Sequence, residues 1–400
     1  MIHEYRPDAL ASAITESRAA LPLAVDALST TIAEVSGRVP DRRVVEYVSS
    51  LWLMHVCDQW VHISSSANLS TENDREITSV ILPRQSLLSV TEIEQRSMVI
   101  QQIQKAHTSS AVLGYQLSTA SQVKRSVSRR DQVLALLGAS SAHVEATLPY
   151  LKVSVGTELR AAWRVRRVVR WEPEPRSAVA TSTVAEAARK SVAMAALRSS
   201  EADRQLRALI ALTAPLDLVE HFWEFHSWAA QQSVDARLWY TASAQHVSTA
   251  FMHRIAVARE RGGRLLVHQH GGGYGIDEQH LGEDYDIAVS DRFYTFGWSR
   301  DDAPTQVRAL PTAMPQRSHG KSQGMLLMSL PVTREVYRLQ SFCLPSHVER
   351  AVTLTVDFVA RLAADTKVTL RHSGGDRFPM ERLAQAQATV AEDRGAGRGS

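Results

Sequence analysis

The apolar positions of this chain fall into two regimes. Over residues 1–150 they recur mostly at helical spacing. Residues 9–35 are Ala-rich without internal glycine, with Pro22 as the expected break. In residues 43–63, Val44, Val45, Tyr47, Val48, Leu51, Trp52, Leu53, Val56 and Trp60 mark one helix. Residues 92–106 and 132–148 read as further helices. Residues 158–205 are rich in Arg, Ala and Ser with little apolar periodicity, which predicts a surface helix plus linker. Trp171-Glu172-Pro173-Glu174-Pro175 breaks that stretch.

After residue 211 the pattern changes. Residues 215–227 predict a helix carrying Phe222, Trp223 and Phe225, and residues 236–241 a strand. A helix over 245–261 follows, stopped by Gly262-Gly263, and then a buried strand over 264–268. Strand–helix–strand at this spacing is a βαβ unit and implies a parallel sheet. Residues 286–289 and 293–297 read as short strands, and 306–322 as a linker. A second unit starts at residue 324, with a strand over 325–330, a helix over 345–364 and a strand over 366–370. Beyond residue 371 no strand run follows, and the Gly/Arg-rich end predicts disorder with at most one short helix, 380–392.

The expected class is therefore α/β, divided into a mostly helical region (1–205), a Rossmann-like core (206–305), a linker (306–323), an incomplete second Rossmann-like domain (324–371) and a tail (372–400). The chain is expected to begin a domain that it does not finish, as a truncation or frame change near residue 371 would produce.

Composition adds boundaries. The chain has 400 residues, 44% hydrophobic and 22% charged, as in ordinary globular proteins. A net charge of +3 does not by itself imply nucleic acid. Charge is uneven: Lys124, Arg125, Arg129 and Arg130 crowd one segment, and Arg160, Arg164, Arg166, Arg167 and Arg170 another. Either these are solvated faces, or they form a basic surface for acidic lipid headgroups or polyanionic glycan. Cys57 and Cys343 build neither a disulfide framework nor a metal motif. The N-terminus shows no secretory signal, no apolar run approaches a membrane span, and a cytoplasmic setting is expected.

Chemistry concentrates where the 264–268 strand empties into Gln269-His270-Gly271-Gly272-Gly273-Tyr274-Gly275. Glycines admit positive φ and turn N–H groups toward an anion. The imidazole of His270 can take a proton near neutral pH. The spacing fits neither the dinucleotide fingerprint nor the P-loop. His268 and His270 alternate onto one face, and with His280 they raise zinc, but no acidic or thiol ligand has fitting spacing, so no metal is expected. The carboxylates of Glu283-Asp284-Tyr285-Asp286 could serve as base, nucleophile or metal site, with a solvated loop as the alternative for Glu283 and Asp284. Asp291-Arg292 lies between two short strands, where charge needs a partner and an Arg can clamp phosphate.

Pro215 to Glu220, Tyr240-Thr241-Ala242-Ser243, the strand and glycine loop of 263–275, and Ser290 to Trp298 fall in one order. That order resembles a family of bacterial surface-carbohydrate transferases first annotated in Leptospira. The family is similar in plan to capsule-type and glycerophosphate transferases with the two-domain GT-B fold. Residues 44–60, with Trp52, Leu53 and Asp58, also look like its N-terminal region. The resemblance implies a transferase that moves a sugar or sugar-like unit from a nucleotide-activated donor to a cell-surface glycan or lipid-linked acceptor. It implies His270 as catalytic base; Gln269, Gly271, Gly272, Gly273, Tyr274, Gly275, Asp291 and Arg292 are the expected substrate- and phosphate-binding set, read from the glycine loop and the arginine beyond it. No cofactor and no nucleic-acid partner are expected; peripheral contact with the inner membrane is. The alternative is a non-catalytic binding or scaffold protein at the membrane surface.

Overall fold

In the computed structural model the described residues are 7–65, 79–82, 90–105, 116–119, 146–147, 182–231, 237–271, 273–277, 279–303, 305–310, 325–329, 339, 345–362, 366 and 368–372. The basic segments at 124–130 and 160–170, Cys343, and the tail beyond 372 lie outside them.

Two long antiparallel-sized helices open the chain, α1 (Pro7–Ser36) and α2 (Arg42–Ser65). Pro22 does not break α1, contrary to expectation. It lies on the exposed side, where water can serve the carbonyl whose N–H partner proline lacks. By length and composition Ala9–Ser36 is also apolar enough to cross a membrane, which the sequence reading missed. Here its stripe of Ala24, Val25, Ala27, Leu28 and Ile32 is buried in the protein core. Asp58 of α2 is buried and accepts from Ser17 Oγ (2.5 Å), Arg18 Nη1 (3.1 Å) and the Leu339 amide (3.2 Å). Burial pushes its carboxyl upward, against the opposing pull of Arg18.

A parallel pair that the helical periodicity did not foretell, β1 (Ser79–Leu82) and β2 (Gln116–Thr119), brackets α3 (Val90–Lys105). Gln59 donates to Ser97 Oγ at 2.6 Å and joins α3 to α2. Next come β3 (Ala146–Thr147), α4 (Thr183–Arg198) and α5 (Arg204–Thr213). The expected surface helix is anchored inward. Arg189 of α4 is fully buried, paired bidentately with Glu220 at 2.8 and 2.5 Å, and donates to the Ala211 carbonyl. The helix expected over 215–227 is a 3-10 turn (Leu216–Leu218) followed by α6 (Phe222–Gln231).

The central sheet has five parallel strands in the order β3, β4 (Leu238–Thr241), β5 (Arg264–His268), β6 (Arg292–Thr295) and β7 (Val307–Ala309). β3 joins it from the stretch read as helical, and β7 from the stretch read as linker. The helix expected between β4 and β5 divides into α7 (Ala244–Val247) and α8 (Thr249–Glu260). Ser248 ends the first and caps the second, its Oγ accepting from the Phe251 amide. Between β5 and β6 stands α9 (Leu281–Val289), not a strand over 286–289. Leu281, Tyr285 and Val289, at a spacing of four, are among its buried residues and lie along one face of the helix.

Strand order equals chain order, and right-handed crossovers then stack the connecting helices on one face. Burial follows that rule. Trp239, Thr241, Leu265, Val267, Phe293 and Thr295 are buried on one face, while Leu238, Arg264 and Arg292 on the other are exposed. One apolar core runs from Ala24 in α1 through α2 and α5 to Val307 in β7. A separate parallel pair, β8 (Met325–Ser329) and β9 (Val368–His372), flanks α10 (Pro345–Arg361), matching the βαβ expectation for that region.

Candidate active site

β5 ends at His268, and the next residue works as a latch. Gln269 is buried; its Oε1 accepts from the Phe296 amide and from Trp298 Nε1, both at 2.9 Å. Its Nε2 donates to the Gly271 carbonyl at 2.8 Å. Gln269 thus ties the start of the glycine turn to the end of β6.

The turn then closes on itself. The Gly273 carbonyl accepts from the amides of Ile276 and Asp277, each at 3.1 Å. Gly275 has φ +71°, and a Cβ there would sit 2.6 Å from the Trp298 indole, so both backbone and space demand glycine. Its N–H donates to Glu283 Oε2 at 2.7 Å, so a carboxylate of the chain itself fills that anion position. Gly272 lies outside the described residues. Glu283 also meets Arg300 Nη1 at 3.5 Å.

Beyond the turn, His280 caps α9 by accepting from the Glu283 amide through Nδ1 at 3.0 Å. That helix carries Asp286, a carboxylate with no solvent exposure. Its Oδ1 accepts from Gln245 Nε2 and faces His246 Nε2, both at 2.7 Å. Its Oδ2 accepts from the Tyr274 hydroxyl at 3.0 Å and lies 3.9 Å from His270 Nδ1. The imidazoles of His246 and His270 stand edge to face, 4.8 Å between centroids. Both rings are partly exposed while the carboxylate between them is sealed. Tyr285, fully buried, donates to the Gln245 carbonyl at 3.0 Å.

One buried carboxylate ringed by donors orients imidazoles. An N–H held toward Asp286 leaves the other ring nitrogen with a lone pair facing outward, the arrangement of a general base. The site stands past the carboxyl ends of β4 and β5, where ligands of parallel α/β sheets normally sit.

The structure separates residues that the sequence grouped. His268 is buried, with its ring against Phe296 (5.2 Å) and Tyr240 (6.2 Å), and Nδ1 on the Gln269 carbonyl. Burial lowers its pKa and favours the neutral ring. His270 instead joins His246 and Tyr274. The zinc grouping of His268, His270 and His280 is not formed; the three groups brought together are His246, His270 and Asp286, any one ligand atom within 4.8 Å of the others.

Asp291 and Arg292 are not brought to the glycine turn. Asp291 immediately precedes β6 and Arg292 opens it, which in a parallel sheet places them toward the end where β5 begins. Asp291 accepts from the Leu265 amide (2.7 Å) and Arg259 Nη2 (3.0 Å), the partner its charge required. Arg292 pairs in register with Leu266, its side chain exposed. The arginine beside the turn is Arg300.

Gln245 and His246 are absent from the expected set, and Asp286 enters it only as one of the carboxylates of residues 283–286. His246 had a usable signal, because it follows the carboxyl end of a predicted strand. Asp286 had only the signal of one carboxylate among several: its segment reads as a strand, and its partner His246 is 40 residues away.

No curated protein and no solved structure matches the chain. The model of the LIC12162 family transferase matches residues 42–373, a span that opens at the first residue of α2 and contains the whole site. The chain therefore belongs to the LIC12162 transferase family.

Proposed function

We propose that this transferase moves a sugar or sugar-like unit from a nucleotide-activated donor to a hydroxyl of a cell-surface glycan or lipid-linked acceptor. The observation that carries the reading is His270 beside the sealed carboxylate of Asp286, next to a glycine turn at the carboxyl edge of a parallel sheet. The resemblance of the Gln-His-Gly-Gly-x-Tyr-Gly element to GT-B transferases supports it, as does membership of a transferase family.

In this mechanism Asp286 draws the Nδ1–H of His270 toward itself. The present 3.9 Å shortens to a hydrogen bond as substrate packs the site. His270 Nε2 takes the acceptor proton as the acceptor oxygen bonds to the anomeric carbon. The bond from that carbon to the donor phosphate breaks, and its electron pair leaves with the nucleotide. Asp286 stabilises the imidazolium that forms. The N–H groups of Gly271, Gly272 and Gly273 are the proposed contacts for the donor phosphate, with Arg300 in the role first given to Arg292. Gly275 is excluded from that role by its bond to Glu283. Reaction at the cytoplasmic face of the inner membrane is part of the proposal.

A panel of nucleotide sugars tests it. The wild-type chain releases free nucleotide in the presence of acceptor, and His270→Ala lowers kcat by about 10²–10⁴-fold. An unchanged kcat in His270→Ala removes the base assignment.

A further inference from the structure

We propose that His246, His270 and Asp286 also form a binding site for a divalent transition-metal ion of the zinc class, and that an ion held there switches off the base. The inhibitory half of this rests on the transfer reading above; the metal site itself does not.

The donor set comes first. One ring nitrogen from each histidine and a carboxylate oxygen all lie within 4.8 Å of one another. A tetrahedral ion bound at about 2.0–2.2 Å spaces its ligand atoms roughly 3.3–3.6 Å apart. The contacts with Asp286 run from different oxygens, Oδ1 to His246 Nε2 at 2.7 Å and Oδ2 to His270 Nδ1 at 3.9 Å, and fall on either side of that range. With one ligand atom from each residue within 4.8 Å of the others, side-chain adjustments on the order of 1 Å close the three onto an ion.

The surroundings are those of a ligand shell. Metal-bound carboxylates are themselves hydrogen-bonded. Asp286 has Gln245 Nε2 at 2.7 Å and the Tyr274 hydroxyl at 3.0 Å, and neither needs to leave when an ion enters. The three ligands come from α7, the loop after β5, and α9. The Tyr285 bond to the Gln245 carbonyl fixes α9 against α7. His246 and His270 keep 17% and 23% of their side chains exposed, which supplies an entry path to the sealed carboxylate. Two imidazoles and one carboxylate suit Zn²⁺ or Co²⁺, whereas Mg²⁺ and Ca²⁺ ask for oxygen ligands throughout. Three protein ligands leave a fourth position for water.

The consequence for His270 follows from proton counting. A neutral imidazole carries one N–H. An ion on Nδ1 places that proton on Nε2, which then donates and can no longer accept. The ion also occupies the carboxylate that would stabilise an imidazolium. Metal binding and proton abstraction at His270 are mutually exclusive.

The test is titration of the purified full-length chain, freed of metal by chelator, with Co²⁺ alone, reading its visible d–d absorption, and then with Zn²⁺ in competition. Saturation at one equivalent with intense tetrahedral bands is expected. His246→Ala and Asp286→Asn, checked for folding by circular dichroism, lose the signal. Tyr274→Phe, which keeps all three ligands, weakens affinity about 10–100-fold. No saturable signal in the wild-type chain, or a titration unaltered by His246→Ala, overturns the site. Nucleotide-sugar turnover, measured separately in chelator, is expected to fall on adding one equivalent of Zn²⁺. Turnover that persists with Zn²⁺ demonstrably bound overturns the switch. If no turnover occurs with any donor while Co²⁺ binds as described, the transfer reading fails and the metal site stands.

Discussion

The hydroxyl of Tyr285 donates to the main-chain carbonyl of Gln245 at 3.0 Å, and so fastens the helix bearing Asp286 to the one bearing His246. Both groups are buried, so the bond has no water to replace it. Tyr285→Phe leaves the carbonyl unsatisfied, a cost of about 1–3 kcal/mol. The expected outcome is a lower urea midpoint together with a fall in kcat. An unaltered midpoint would mean that the two helices are fixed by packing alone.

Asp286→Asn places an amide where up to four donors converge. One N–H of the new side chain then faces another donor, and the tautomer of His246 or His270 must change. Turnover is expected to fall about 10²–10⁴-fold in kcat with KM little altered. A loss confined to KM would point to a role in binding only.

Gly275→Ala meets two penalties at once, a φ of +71° and a Cβ 2.6 Å from the Trp298 ring. The combined cost is about 2–4 kcal/mol, since strain in a disfavoured φ and overpacking each contribute on the order of 1–2. Thermal melts read it directly. Gly37→Ala, with a similar φ of +68° but nothing within 4 Å of the new Cβ, should lose only the backbone share.

Acid stability is set in part by His253. Its ring is fully buried against Phe222 and His226, and among the described residues neither ring nitrogen has a hydrogen-bond partner. Burial, then the neighbouring His226, depresses its pKa to about 3. The unfolded chain, with the ordinary pKa of about 6.5, binds this proton first. Stability from this residue is therefore complete above the unfolded pKa and declines as pH falls from about 6.5 toward 3, by up to about 1.4 kcal/mol per unit. Denaturant midpoints between pH 7 and pH 4 measure the slope. His253→Phe should flatten it, and a slope unchanged by that substitution would assign the acid sensitivity elsewhere.

What could be read in advance depended on how far apart the determining residues lie. The β5 strand and its glycine turn were legible because an apolar run bounded by glycine is a local signal. The β8–α10–β9 unit was legible for the same reason. α9 was not, because Ile287-Ala288-Val289 is a short apolar run that periodicity alone cannot assign to strand or helix, while the helix itself starts back at Leu281. Misreading that helix left Asp286 as one carboxylate among several and hid the organisation of the site. Arg292 was drawn to the wrong end of the sheet because proximity in sequence was allowed to stand for proximity in space; strand direction decides instead. His270 was found by its place at a strand tip, but His246 equally follows β4, and the same rule applied to every strand would have found the pair.

The single core that joins α1 and α2 to the sheet has a consequence during synthesis. The apolar stripes of those helices emerge from the ribosome roughly 200 residues before β5, α9 and β6, against which the core is completed. At about 5–20 residues per second that interval lasts on the order of 10–40 s. Over that interval the α1 stripe, apolar enough by length and composition to cross a membrane, has only its early neighbours such as α2 to cover it. The expected consequence is that chaperone capture competes with folding in that window, so that slower translation over residues 66–264 lowers the yield of folded protein.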